Sequence, residues 1–503
     1  MKTFRKNKFR FLPLTAFIVG LFFSTAAAQA FKVDENALRQ KLQAKLDEWH
    51  KNGKFAGATV GVVLADGSSF GLATGFADLQ TKRQMKPTDL MLAGSVGKTY
   101  AAAVALQLVG EGKINLDEKV EKYLGNEKWF ARLPNAKDIT VRQLMNHTSG
   151  LVRYEFKDQF TKDLTANPDK VWRPEELLAY LFGEKAAFEA GKGWDYSDTN
   201  YIVLGMIIEK VSGKKYYDEA DRRILKPLNF KNTFPQDSRT IKNLIQGYAG
   251  ENNPFGGTDA MIQNGKFAIN PQFEWTGGGM VSNSVDLARW AKTMYEGRAF
   301  DPKLLPQMLE GVSAPMLGRE TKYGLGVLIR PTRAGLTYGH SGFFPGYMTD
   351  VMYFPEHKIA VAVQVNSSVP QNLGKPLGRV LVETAETILG KETPPATPAK
   401  TATEKKQFVI VLRLNAKYQD DKNWTAAETE AVGRHFAKLQ QLQKDGKLIL
   451  AGRTLVKESM GIVVLEVESE TEARQIMEAD DAVKAGIMSA ELLPFQTALI
   501  KGN

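Results

Sequence analysis

Apolar residues recur every three or four positions between 34 and 52, at Leu38, Leu42, Leu46 and Trp49, a spacing that predicts one amphipathic helix. Two stretches of strand character follow in "ATVGVVLADGSSFGLATGFA", with a turn at Asp66-Gly67. From about 93 to 300 the pattern is mainly helical, broken by turns such as "NHTSGL" and "WTGGGM". Strand character returns in "LTYGHSG", "YMTDVMYFP" and "KIAVAVQVNSS", and a last helix ends near Gly390. This order predicts an α/β unit: an antiparallel sheet shared by both ends of the region and flanked by helices, with a helical subdomain inserted between them. A ligand site between the two parts is the default expectation.

The stretch 391–405, "KETPPATPAKTATEK", lacks any large apolar residue and reads as an extended linker. Beyond it the pattern is βαββαβ, with helices over 425–444 and 469–485. That is the order of a ferredoxin-like α+β domain covering 406–503. At the other end, Lys2, Arg5, Lys6, Lys8 and Arg10 precede "FLPLTAFIVGLFFSTAAAQA", the basic, apolar and small-residue order of a secretory signal over 1–30. Its apolar core is short for a spanning helix, and no later stretch approaches one. The expected product is secreted or periplasmic, without a stable membrane span, and its first folded domain is 31–390.

Loss of the signal changes the charge. Its five basic residues taken from the 66 leave 61 against 56 acidic ones, so the formal +10 falls to +5. So small a surplus, with no basic block interleaved with aromatics, argues against a nucleic-acid partner. Cysteine is absent, which removes disulfides, thiol catalysis and cysteine-ligated metals. The histidines, His50, His147, His340, His357 and His435, lack metal-ligand spacing, and neither a metal nor a cofactor is expected.

The candidate chemistry starts in "MLAGSVGKTYAAAVALQLV", where Ser95 and Lys98 stand three apart, on nearly one face of a helix start. Ser95 would sit at the positive end of the helix dipole, and burial of Lys98 would favour the neutral amine that takes a hydroxyl proton. By itself the pair is also an ordinary helix entrance. In "WDYSDTNYIVLGMIIEKVSG", Tyr196, Ser197 and Asp198 precede an apolar helical run, with Ser197 or Asp198 as an N-cap. In "YGHSGFFPGY", His340, Ser341 and Gly342 lie in or beside a strand, and Gly342 permits close approach of a ligand to the backbone. His147 in "NHTSGL" and the near-elbow "AGSVG" raise an α/β-hydrolase triad, which the helical region after Ser95 opposes. His147 reads better as a turn residue, and Gly277–Gly279 as a close-packed turn rather than a phosphate cradle.

Taken in order, S-V-G-K, Y-S-D and H-S-G resemble the S-x-x-K, Y-x-N and K-T-G elements of the serine β-lactamase and penicillin-binding protein superfamily. Class C β-lactamases, DD-peptidases and related esterases are the closest look-alikes. The resemblance covers roughly 34–390 and extends to "GEGKINLDEKVEKYLG", "ITVRQLMNHTSGL", "GGGMVSNSVDLARWAKTM" and "YGLGV". It implies an acyl-enzyme at Ser95, proton traffic shared by Lys98 and Tyr196, and an oxyanion held by the N–H groups of Ser95 and Phe343. Asp198, His340, Ser341, Gly342 and Phe343 would contact substrate: a D-alanyl peptide, a β-lactam or a small ester. Two departures stand out. Asp198 replaces Asn and can pair with Lys98, opposing a neutral amine. His340 replaces Lys and removes a permanent cation. A protein that binds or senses such ligands without efficient turnover is the alternative, and a degenerate hydrolase held as a scaffold is a third.

The stretch from about 406 to 503 resembles a YciI-related domain of the dimeric α/β-barrel kind, whose His and Asp are matched by His435 and Asp481. That resemblance implies a homodimer through this domain. The plain alternative for His435 is a solvated helix residue without a catalytic role.

Overall fold

The computed structural model describes residues 35–391 and 406–495, apart from 252, 319, 420 and 455–459. The signal segment, and all of the linker proposed from sequence except residue 391, lie outside these residues. The chain divides between 392 and 393 into two units.

In the first unit, helix α1 (Glu35–Asn52) buries Leu38, Leu42, Leu46 and Trp49, as its spacing predicts. Each such side chain contributes about 1.5–3 kcal/mol on burial. The helix lies over a nine-stranded antiparallel sheet built from β1 (Gly57–Val63), β2 (Ser69–Asp78), β3 (Arg83–Gln84), β4 (Val312–Ser313), β5 (Lys322–Tyr323), β6 (Leu328–Thr332), β7 (Gly335–Phe344), β8 (Tyr347–Phe354) and β9 (Ile359–Val365). The order across the sheet is β3-β2-β1-β9-β8-β7-β6-β5-β4, so the first hairpin joins the last strands through β1 and β9, with Val60 opposite Val363.

Every residue of β8 and β9 is buried because both faces of the sheet are covered. Val361, Val363 and Val365 pack with α1 and with α5 (Leu377–Ile388), while Ala360 and Ala362 face the larger core on the other side. That core also takes in α2 (Lys98–Gly110), α3 (Asp198–Ser212) and α4 (Ser284–Tyr295). Small residues on this face let α4 approach closely: a Cβ on Gly61 would collide with the backbone of Ser284.

The second unit, by itself, is a four-stranded antiparallel sheet of β10 (Lys406–Leu414), β11 (Leu448–Arg453), β12 (Met460–Val467) and β13 (Met488–Phe495), in the order β11-β12-β10-β13. Helices α6 (Ala426–Lys444) and α7 (Glu470–Glu478) pack on one face against Phe408, Ile410, Leu412, Val463 and Leu465. The single helix expected over 469–485 is broken in two, because Asp480 is extended and caps a new turn over Asp481–Lys484.

Candidate active site

Ser95 lies in a 3-10 turn, Gly94–Gly97, that runs into α2. The turn seats, through two glycines, against residues 340–344 of β7, beyond the stretch that β6 pairs with. Gly94 has φ +53, and a Cβ there would lie 2.6 Å from the Phe343 nitrogen. A Cβ on Gly342 would strike the Ala93 carbonyl and lie 3.3 Å from the Ser95 nitrogen. The backbone nitrogens of Ser95 and Phe343 are therefore brought to one place, as two donors to a developing oxyanion must be.

Lys98 begins α2 and is fully buried. Its ammonium has three neighbours at hydrogen-bond reach: Ser95 Oγ at 3.0 Å, the Asp198 carboxylate and the Gly277 carbonyl. Two of these accept only, so two N–H groups are committed and the third position points at Ser95. Burial alone would favour a neutral amine, but Asp198 and then Tyr196 outweigh it and hold the Lys98 pKa above the ordinary lysine value. Of the two states the sequence left open, the pairing with Asp198 prevails over burial, and Lys98 rests as an ammonium.

Asp198 opens α3 but does not cap it, and Ser197, at the N-cap position, makes no side-chain cap bond either. Instead Asp198 turns inward to Lys98 and accepts from Arg153 Nη2 at 2.7 Å. Burial opposes its charge, but Lys98, a hydrogen bond from Glu155 and Arg153 keep its pKa far below the usual carboxylate range. Tyr196 is half-buried, with its ring centroid 4.9 Å from Lys98 Nζ and 4.3 Å from the His147 ring. Its enclosed hydroxyl makes no hydrogen bond among the described residues, and desolvation pushes its pKa to about 12 although Lys98 and Ser95 pull it down.

His340 is turned inward. It is buried and accepts at Nε2 from the Tyr323 hydroxyl at 2.8 Å, while Nδ1 donates to the Ser341 carbonyl at 2.6 Å. Burial, then Lys98, lowers its pKa to about 3, so the place of the usual lysine is electrically neutral. Ser341 and Phe343 alternate with it and project outward, Phe343 with 54% of its surface exposed. Tyr154 is a core residue whose hydroxyl donates to the Phe273 carbonyl at 3.1 Å.

Four contributors escaped the reading of motifs. His147, at φ +63, is the predicted turn residue, and its ring also packs at a tilt against that of Tyr196. Its Nδ1 takes the Ser197 N–H at 3.2 Å, and burial holds the ring neutral. Arg153 and Glu155 follow directly after "NHTSGL" as a charged pair in an otherwise apolar stretch, the one signal they gave. Glu274 precedes Trp275, which is held at φ 41 and ψ −114, a strained conformation of the kind that marks functional loops. The three glycines after it do form a close-packed turn, since a Cβ on Gly278 would lie 2.6 Å from Glu274 Oε2, but the turn also delivers the Gly277 carbonyl to Lys98.

Glu274 is half-buried and accepts from Gln236 Nε2 at 2.8 Å. Burial, then Asp198, raises its pKa from 4.5 to about 8. A carboxyl whose folded pKa is raised stabilises fully below its unfolded pKa and loses that contribution as pH climbs to the folded value. Glu274→Gln is therefore expected to raise the melting temperature at pH 8–9 and leave it unchanged at pH 4, read by calorimetry across that range. The gain should be on the order of 2–4 kcal/mol.

In the second unit, Asp480 rather than Asp481 meets His435, with Nδ1 to Oδ2 at 2.7 Å. Asp480 is the cap of the short helix and faces α6, whereas Asp481 starts the helix outward and pairs with Arg434 at 3.3 Å. His435 and Asp480 line a small cleft with Leu439, Leu442 and Met477. Among the described residues no His, Asp and Glu cluster has the geometry of a metal site.

Comparison with known proteins agrees with this geometry. The Beta-lactamase family model matches residues 37–386, and the YCII-related domain matches 411–496. Penicillin-binding protein 4* of Bacillus subtilis is 28% identical over 390 residues, 74% of this chain and 79% of that protein. D-aminopeptidase of Brucella anthropi is 26% identical over 58% of this chain, which spans 53% of that relative. The solved D-amino acid amidase from Ochrobactrum anthropi SV3, complexed with D-phenylalanine, is 26% identical with a TM-score of 0.61, covering 71% of this chain and 100% of that one. The chain belongs to the β-lactamase family of serine hydrolases and carries a YCII-related domain after it.

Proposed function

We propose that the protein is an exported serine hydrolase that is acylated at Ser95 and cleaves D-aminoacyl amides and peptides. The observation that carries this reading is the convergence of Ser95, Lys98 and Tyr196 at the edge of β7, beside the nitrogens of Ser95 and Phe343. Ser95 Oγ attacks the substrate carbonyl and its proton passes to the Lys98–Tyr196 pair. The oxyanion collapses, the C–N bond breaks, and the leaving amine takes a proton from the same pair. Water then hydrolyses the ester by the reverse proton path.

Amides of D-amino acids suit the cleft better than acyl-D-alanine carboxylates or β-lactams. His340 is neutral and buried where a cation would hold a carboxylate, and the exposed ring of Phe343 offers apolar contact instead. The names of the relatives, a D-aminopeptidase and a D-amino acid amidase, point the same way. A panel of D-phenylalanine amide, D-alanyl peptides, short p-nitrophenyl esters and nitrocefin, each with its L counterpart where one exists, tests it. Preference for the L series, or nitrocefin as the best substrate, would overturn it.

The hold of Asp198 on Lys98 favours a second reading, in which the protein captures ligands covalently and releases them slowly. An adduct lasting hours without product would mark it. For the second unit, the sheet face away from its helices carries Val409, Val411, Ile462 and the exposed Leu450 and Leu493, an apolar surface that a second copy would cover. A homodimer follows from this, and sedimentation of Leu493→Glu is expected to show monomer where the unaltered protein shows dimer. Export rests on the basic, apolar and small-residue order of the first thirty residues. No helix among the described residues is long and apolar enough to cross a membrane.

A further inference from the structure

One guanidinium bridges two carboxyl groups beside Lys98. Arg153 Nη2 is 2.7 Å from Asp198 Oδ2 and 2.9 Å from Glu155 Oε1, and Arg153 Nε donates to Glu155 Oε1 at 3.0 Å. The other oxygen, Glu155 Oε2, is buried and receives no hydrogen bond from a donor among the described residues. An ionised oxygen in that state forfeits its solvation without return, a cost of about 1–3 kcal/mol or more. If the Glu155 carboxyl carries a proton it becomes a donor, and the carboxylate gathered with it on the same Arg153 Nη2 is that of Asp198. The wider surroundings agree: burial and the Asp198 charge raise the Glu155 pKa well above the ordinary value against the pull of Arg153.

We propose that Glu155 is a positioning residue: it holds one proton jointly with Asp198, and this shared proton loosens the grip of Asp198 on Lys98, so that the Lys98–Tyr196 pair can accept the proton of Ser95. The inference rests on the acyl-enzyme reading for its consequence but not for the proton itself. The charged and titratable groups around the pair are Lys98 from α2, Arg153 and Tyr154 from the same segment as Glu155, Tyr196 ahead of α3, His147, Glu274 and His340. Both histidines are neutral, and Lys157, two residues on, is engaged by Glu184 at 2.9 Å. When Glu155 ionises, its negative charge adds to that of Asp198 and tightens the hold on Lys98. The free enzyme therefore loses reactivity toward acylation on the alkaline side relative to a variant that stays neutral.

Two variants separate this from a structural role. In Glu155→Gln the amide N–H takes the place of the carboxyl proton, so acylation by a fluorophosphonate at pH 7 is expected within twofold of the unaltered protein. By pH 9–10 this variant is expected to be at least threefold faster. Glu155→Ala has no donor and is expected to be at least tenfold slower at pH 7. Equal losses in both variants, or superimposable pH profiles for Glu155→Gln and the unaltered protein, would overturn the proposal. Infrared difference spectra of the whole protein read the proton independently of catalysis. A protonated-carboxyl band at pH 7 that disappears in Glu155→Gln is expected, and its absence overturns the sharing. If no variant and no unaltered protein is acylated while the band is present, the acyl-enzyme reading is what has failed.

Discussion

Ser95→Ala is expected to abolish covalent labelling and to reduce hydrolysis at least 10³-fold, because the nucleophile is lost while the surrounding donors remain. Intact mass after fluorophosphonate treatment reads the first effect: one adduct on the unaltered protein, none on the variant. The fold should be indifferent to the change. The Ser95 hydroxyl has one hydrogen-bond partner, Lys98 Nζ at 3.0 Å, and Lys98 keeps Asp198 and Gly277. Loss of one such bond costs about 0.5–1.5 kcal/mol, so melting temperature shifts by a few degrees at most. Equal adducts on both proteins would remove Ser95 from the chemistry. A large fall in melting temperature would instead make the loss of labelling an effect of unfolding.

The parts of this site that could be read in advance are those with a residue-type signature at fixed spacing. Leu38, Leu42, Leu46 and Trp49 announce their helix because one buried face repeats every turn, and all four are buried. Ser95 and Lys98 are joined by local geometry, so their contact follows from spacing alone. Tyr196 and Asp198 became visible only through their order with the other elements, since 100 residues separate Lys98 from Asp198. Nothing in residue identity marks the Gly277 carbonyl, because every residue has one. Arg153, Glu155 and Glu274 are ordinary surface types that become informative only when they are buried together. The choice between Asp480 and Asp481 was undecidable from pattern: the two are neighbours of one type, and the capping bonds from Ala482 and Val483 are what turn the first of them toward His435. Both readings of Lys98 were open from residue types, a neutral amine through burial in the apolar run and a charged one through pairing with Asp198. The contact of the two side chains decides for the second.

Asp198→Asn tests that countercharge and is expected to make the enzyme faster at neutral pH. Acylation requires the Lys98–Tyr196 pair to give up a proton before it can take one from Ser95, and Asp198 raises the pKa of both members. Removing its charge lowers both, so the ascending limb of kcat/KM against pH moves toward acid. A shift of one pH unit is about 1.4 kcal/mol and a tenfold gain on the limb. The sign holds whichever of the two groups is the base, which matters because a coupled pair titrates as a pair. Asparagine keeps an oxygen to accept from Lys98, and Arg153 keeps Glu155, so the site stays assembled. Asp198→Ala is expected to move the limb as well but to lower its plateau, since it removes the acceptor that aims Lys98 at Ser95. A limb that stays in place in Asp198→Asn would mean that Asp198 does not set the charge of Lys98 in the working enzyme, and the account of why this cleft departs from the usual asparagine would fall with it.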